Sequence, residues 1–212
     1  MTARMGGKLV TWTDRCAAVA DRPGYEILRA GRLLVANPLL GDPNFDRTVI
    51  LLLAYGEEGA LGVVLNRPSR TLVASPLPAW GELAATPPVV FVGGPVQHQA
   101  VICLARRGGN GFGGEPPLGW SGVTPEVGMV DLDRDPDGFG AELSHVRVFA
   151  GYAGWGAGQL EGEIGAGAWW VADVQPGDAF SDEPDDLWKQ VLRRQGGSLA
   201  LVAAYPANPR LN

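Results

Sequence analysis

The stretch TVILLLAYGEEGALGVVLN, residues 48 to 66, sets two apolar runs of strand length on either side of a short polar turn. Strands joined this closely can pair only antiparallel, because a parallel return needs a crossover of about a dozen residues. Other runs follow the same habit. PVVFV and QAVICLA flank GGPVQH, and HVRVFAGYAGW leads through glycines towards AWWVADV. RLLVANPLL reads as a buried strand ended by Pro38, VGMVDL as another, and SLALVAAY as a last strand. Strands therefore outnumber helices, and the regular alternation of a doubly wound sheet is absent. The expected class is α+β, or mixed α/β.

Helical segments are fewer. SPLPAWGELAA predicts a short one from about Pro78, stopping before the prolines at 87 and 88. In DRDPDGFGAEL, Asp135 is placed as an N-cap with Pro136 at the first helical position. DEPDDLWKQVLRRQGG has an acidic start, a basic end and a glycine stop, as the helix dipole favours. RRGGNGFGGEPPLGW, residues 106 to 120, reads as a long loop.

A length of 212 residues, 46% hydrophobic and 19% charged, fits one globular domain. Residues 1 to 26 read as an N-terminal extension of mixed pattern, without the apolar core of a signal peptide, and no apolar stretch reaches membrane-spanning length. A cytosolic protein is the expectation. The net charge is −6, and residues 131 to 186 hold 13 acidic side chains against Arg134 and Arg147. Lysines and arginines form no dense run, so direct nucleic-acid binding is disfavoured. Cys16 and Cys103 are too few for a disulfide framework or a four-ligand zinc site. Cys103, inside AVICLA, reads as a small core residue.

The most unusual stretch is GYAGWGAGQLEGEIGAGAWWV, residues 151 to 171, which is rich in both glycine and tryptophan. A strand, a glycine loop and a helix carrying Leu160 and Ile164 at i,i+4 spacing are expected. Such a unit can hold a phosphate at the helix start. Against that, there is no lysine, and Glu161 and Glu163 already bring negative charge there. The structural reading is that Gly151 and Gly154 let the chain tuck close while Trp155, Trp169 and Trp170 fill the space, with Gln159 and Glu161 in the same unit.

Candidate ligand-binding residues come from loop ends. FDRTV offers Arg47 and Thr48, GVVLNRP offers Asn66 and Arg67, and VFVGGPV offers Gly93 and Gly94. Arginines suit carboxylate or phosphate. The plainer alternative pairs each arginine with an acid such as Asp42 and uses Asn66 as a turn cap. Asp133, Asp135, Asp137 and Gly138 imitate a calcium loop, but Ser144 stands where a bidentate glutamate is needed, so no metal is expected. His98 and His145 are the only histidines, and no catalytic motif joins them.

Five stretches in order, LLVANPLLGDPNFDRTVILLL, GALGVVLNRP, VGGPV, FAGYAGWGAGQLEGEI and the closing Pro-Arg-Leu-Asn, resemble the YqgE/AlgH family. The resemblance covers roughly residues 28 to 212. It implies a single domain over 27–212 in which a branched, strongly curved mixed sheet forms a partial barrel flanked by a few helices. It brings a regulator label from one branch of the family, tied to alginate production, and no established catalytic residues. The 106–120 loop departs from the family pattern in length and glycine content. Together these readings favour a non-enzymatic binding or regulatory protein with an unknown small ligand or protein partner and no cofactor. An enzyme on a small anionic metabolite is the alternative, and direct sequence-specific DNA binding ranks last.

Overall fold

In the computed structural model, residues 2–5, 8–11, 28–109 and 115–204 are described. The first two segments are β1 (Thr2–Met5) and β2 (Lys8–Thr11), which pair antiparallel as a separate two-stranded sheet. A ten-stranded sheet carries the rest. Its strands are β3 (Arg32–Ala36), β4 (Val49–Gly56), β5 (Gly59–Val64), β6 (Pro68–Leu72), β7 (Val89–Val92), β8 (Val96–Arg107), β9 (Trp120–Gly122), β10 (Val127–Val130), β11 (Leu143–Gly156) and β12 (Trp169–Asp173). The helices are α1 (Gln159–Gly165), α2 (Leu187–Gln195) and α3 (Gly197–Val202).

The β4–β5 hairpin forms as its sequence dictates, with Gly56 opposite Gly59 across Glu57 and Glu58. The main path runs β12-β3-β4-β5-β11-β8-β10-β9, with β7 joined to β11 and β6 to β7. Every pairing of these strands is antiparallel except β7 with β11, and an isolated parallel bridge joins Ala84 to Val146. The sheet curls into a half-barrel with a few helices.

β11 is where the sheet branches. One flank pairs with β8 along most of its length. The other flank is shared, with β7 at Phe149 and Ala150 and β5 from Ala153 to Gly156. Between them the register with β8 shifts at a bulge around Gly151, which has φ 73°. Gly93 and Gly94 pass directly over this point. A Cβ on Gly93 would lie 2.3 Å from the Gly151 carbonyl oxygen, and one on Gly94 2.2 Å from the Tyr152 carbonyl carbon. No other residue type lets two backbones cross this closely.

Continuous apolar runs are explained by burial on both faces. Leu33, Val35, Val49 and Leu51 point to one side, where α2 packs Leu187, Trp188, Val191 and Leu192. Leu34, Ala36, Ile50 and Leu52 point to the other, under Trp155, Leu160 and Trp169. A third cluster lies on β8 and β11 around Cys103, Val146 and Val148, closed by Trp80 and Phe139.

Four expectations are corrected. SLALVAAY forms helix α3 rather than a strand, since Leu199 and Val202 meet the core at i,i+3 spacing and Leu201 is left 77% exposed. SPLPAWGELAA gives only a 3-10 turn over Pro78–Trp80, with Trp80 buried 6.0 Å from the Phe139 ring. The segment after Asp135 is also 3-10, Pro136–Glu142, although Asp135 does cap it by accepting from the Asp137 N–H. GYAGWG remains strand to Gly156, leaving only Ala157 and Gly158 before α1. β6 and β9 have no apolar alternation and were not legible. The closing Pro-Arg-Leu-Asn and residues 110–114 of the glycine-rich loop lie outside the described residues.

Candidate functional site

The loop from 37 to 48 is shaped by two side chains that mimic turns. Asn37 Oδ1 accepts from the Leu39 N–H at 3.0 Å, and Asp42 Oδ1 accepts from the Asn44 N–H at 2.8 Å. Asn37 Nδ2 also donates to the Gly167 carbonyl. The loop delivers Arg47 with φ 51°, one of two non-glycine residues in the left-handed region among the described residues.

Asn66, 3% exposed at the end of β5, holds that conformation. Its Nδ2 donates to the Arg47 carbonyl at 2.8 Å and its Oδ1 accepts from the Val49 N–H at 2.9 Å. Thr48 is buried, and its hydroxyl donates to the Phe45 carbonyl. Arg67 donates to the Asp46 carbonyl, and its own carbonyl accepts from the Val92 N–H at 2.8 Å. Gly93 joins the same corner, accepting from the Val64 N–H.

Five of the six candidate residues are thus drawn into one corner, with Gly94 beyond it at the strand crossing, and their duties differ. Thr48, Asn66, Gly93 and Gly94 hold backbone in place. Arg47 and Arg67 bring charge to the surface, both half-buried. The Arg47 guanidinium lies 5.0 Å from the Trp188 ring centre. Arg67 meets a carbonyl rather than Asp42, and Asn66 bridges two strands' ends instead of capping a turn.

The glycine–tryptophan stretch builds a second polar cluster. Glu163 Oε2 accepts from the indole N–H of Trp155 at 2.9 Å and of Trp169 at 2.8 Å, while its Oε1 accepts from Gln159. Gln159 in turn accepts from the Gly156 N–H. The two indoles meet edge to face at 5.9 Å. Glu161 faces away and accepts from the Tyr55 hydroxyl at 2.7 Å. The carboxylates at 161 and 163 are each committed to a separate donor set.

One residue of chemical interest stands in the sequence only as a charge. Arg147 is 1% exposed, set among the apolar side chains of β11. It donates to the carbonyls of Ser181 and Thr86, at 3.0 and 2.5 Å, and lies 4.4 Å from the Phe91 ring centre. Its Nε has no partner among the described residues. Burial lowers its pKa to about 10, which the nearby Asp182 partly offsets. A charged residue inside VRVF was the only signal.

A cleft of about 290 Å³ lies between Leu118, Arg134, Asp135, Gly138 and Phe139. Among the described residues no three His, Cys, Asp or Glu side chains are grouped to hold a metal ion. His98 and His145 are exposed on β8 and β11, and burial pushes the Cys103 thiol up.

A family model described as AlgH-like matches residues 33–200. A UPF0301 protein of Streptomyces coelicolor is 52% identical over 182 residues, covering 86% of this chain and 94% of its own. One from Mycobacterium tuberculosis is 47% identical over 185 residues, covering 87% and 91%. A crystal structure of a Corynebacterium diphtheriae protein superposes with a TM-score of 0.79 at 31% identity, covering 89% of this chain and 96% of that one. The solution structure of the AlgH protein from Pseudomonas aeruginosa gives 0.62 at 29% identity, covering 90% and 100%.

Proposed function

The chain belongs to the AlgH-like family, and from that premise we propose that it is a non-enzymatic binding protein taking a carboxylate- or phosphate-bearing ligand at the corner of Arg47 and Arg67. One observation carries this reading. A non-glycine residue, Arg47, is held in the left-handed region by a buried asparagine whose two ends are spent on the backbone beside it. That conformation costs on the order of 1 kcal/mol or more, and such strain persists where the surroundings over-determine it, often at ligand contacts. Beside it, Arg67 has no carboxylate partner among the described residues. A guanidinium offered to the surface with only a neutral carbonyl in contact suits an incoming anion.

The same corner gives little to an enzyme. Thr48 is buried with its hydroxyl bonded to a carbonyl, and both ends of Asn66 are occupied, so neither is placed to attack or to move a proton. A cytosolic setting goes with this reading, and among the described residues no helix is long and apolar enough to cross a membrane. An effect on transcription would run through the bound ligand or partner rather than through DNA contact, given the net charge of −6.

Thermal-shift and calorimetric titrations with inorganic pyrophosphate, nucleotides and dicarboxylates test it. A selective anion should raise the melting temperature, Arg67→Ala should weaken its binding at least about tenfold, and Arg67→Lys should recover part of it. In the monomeric protein, no shift with any anion at millimolar concentration, or a shift indifferent to Arg67→Ala, would overturn the reading.

A further inference from the structure

Next to the cationic corner the surface turns acidic. The 3-10 turn Pro184–Asp186 leads straight into α2, and Asp182, Glu183, Asp185 and Asp186 are all exposed there. Asp186 is held by Lys189 at 2.9 Å, and Asp182 faces the buried Arg147. Glu183 and Asp185 have no cationic partner among the described residues. Trp188 stitches the two regions together. It stands three residues after Asp185 in the chain and carries the Arg47 guanidinium on its ring, while its indole N–H donates to the Ala36 carbonyl at the start of the Arg47 loop.

A surface with a positive and a negative patch side by side complements itself under a two-fold rotation, because residue i of one copy meets residue j of the other and the reverse. Leu39, 79% exposed on the same loop as Arg47, adds an apolar contact beside the charges. We infer that the partner of this corner is a second copy of the chain, with Arg67 of each copy meeting Glu183 and Asp185 of the other and Leu39 at their margin. The inference rests on the reading above that Arg67 takes a carboxylate, and it names where that carboxylate comes from.

Sedimentation equilibrium of the full chain tests it at about 0.1 M and about 1 M salt, where the Debye length falls from about 10 Å to about 3 Å. The wild type should be dimeric at low salt and dissociate partly at high salt. Arg67→Glu should weaken the dimer about 100-fold, since each contact occurs twice, and the pair Glu183→Lys with Asp185→Lys should do the same. An equimolar mixture of the two variants should restore a dimer, because their reversed charges meet across the two-fold. That rescue cannot come from two misfolded proteins.

A wild type that stays monomeric at about 100 µM in low salt overturns the inference, a concentration well above the micromolar affinities of ordinary specific pairs. So does a dimer indifferent to both reversals, or a mixture that fails to pair. A monomer that still binds pyrophosphate through Arg67 would sink the dimer alone and leave the anion-binding reading standing. Loss of both would sink the two together.

Discussion

Trp169, the first residue of β12, donates its indole N–H to Glu163 in α1 at 2.8 Å. The carboxylate takes the Trp155 indole as well, so one glutamate joins the end of β11, the short helix and the edge strand of the sheet. α1 has only seven residues, too few to hold itself together in water. Its stability comes from this clasp and from buried Leu160.

Glu163→Ala should therefore lower stability by about 2 to 4 kcal/mol, from the loss of charge-assisted hydrogen bonds that leave two indole N–H groups without acceptors. Glu163→Gln should cost about 1 kcal/mol, since its amide oxygen can still face the indoles. Urea denaturation followed by tryptophan fluorescence separates the two. Equal losses would mean that the charge, not the acceptor, is what matters.

At the strand crossing, Gly94→Ala should abolish soluble expression or cost more than about 3 kcal/mol, because the new Cβ would lie 2.2 Å from backbone and φ is +154°. Gly162→Ala is the control. It sits in α1 with open space around it and should stabilise by about 0.5 to 1 kcal/mol. Thermal melts of both variants decide the point. A folded, unperturbed Gly94→Ala would show that the crossing tolerates separation.

Arg147 keeps its charge through the neutral range, so its contribution to stability is flat with pH there. Its folded pKa, about 10, lies below the usual arginine value. The unfolded chain therefore binds more protons above that pH, and this group alone would make stability rise only in the alkaline range. Arg147→Ala should free the carbonyls of Thr86 and Ser181 and cost about 2 to 4 kcal/mol. Hydrogen exchange should quicken first in residues 178–186, the strap that Arg147 ties to β11. Uniform acceleration across the sheet would argue against a local tie.

Cys103 is 2% exposed, and desolvation disfavours its thiolate. In a Cys16→Ser variant, Cys103 should resist a disulfide reagent at about pH 8 and react only as fast as the protein unfolds, while ordinary thiols near a pKa of about 8.5 react at once. Stopped-flow labelling with and without denaturant measures both rates. Prompt labelling of the native protein would place this thiol at the surface.

The parts of the fold that could be read in advance were those written in local pattern. TVILLLAYGEEGALGVVLN carries its own turn, and LWKQVLRRQ its own charge order, so the hairpin and α2 needed no distant partner to be legible. β6, PSRTL, has neither alternation nor apolar content and exists because β7 pairs with it. α3 was misread because Leu and Ala alternate in SLALVA, while Gly196 at φ 72° and Gly197 restart the chain as a helix. The six candidate residues at 47, 48, 66, 67, 93 and 94 are legible from loop-end chemistry, while the meeting of the first five at one corner is tertiary. The division of labour was hidden. That Asn66 would be buried to fix Arg47 depends on the end of β5 returning beside the start of β4, and that Gly93 and Gly94 would serve a strand crossing depends on β11, much further along the chain.

That dependence has a bearing on how the protein is made. Strands β3 to β5 leave the ribosome first, the β6–β7 pair and then β8 to β10 follow, but no strand pairing joins these three pieces until Leu143–Gly156 arrives. Synthesis proceeds at about 5 to 20 residues per second, so three partial sheets with open edges must wait seconds for the strand that joins them. The open edges of all three pieces, β3 to β5, β6 with β7, and β8 to β10, can meet another chain during that interval. Nascent-chain protection by chaperones should therefore matter most for chains stalled before residue 143, and should fall away once β11 clears the exit tunnel.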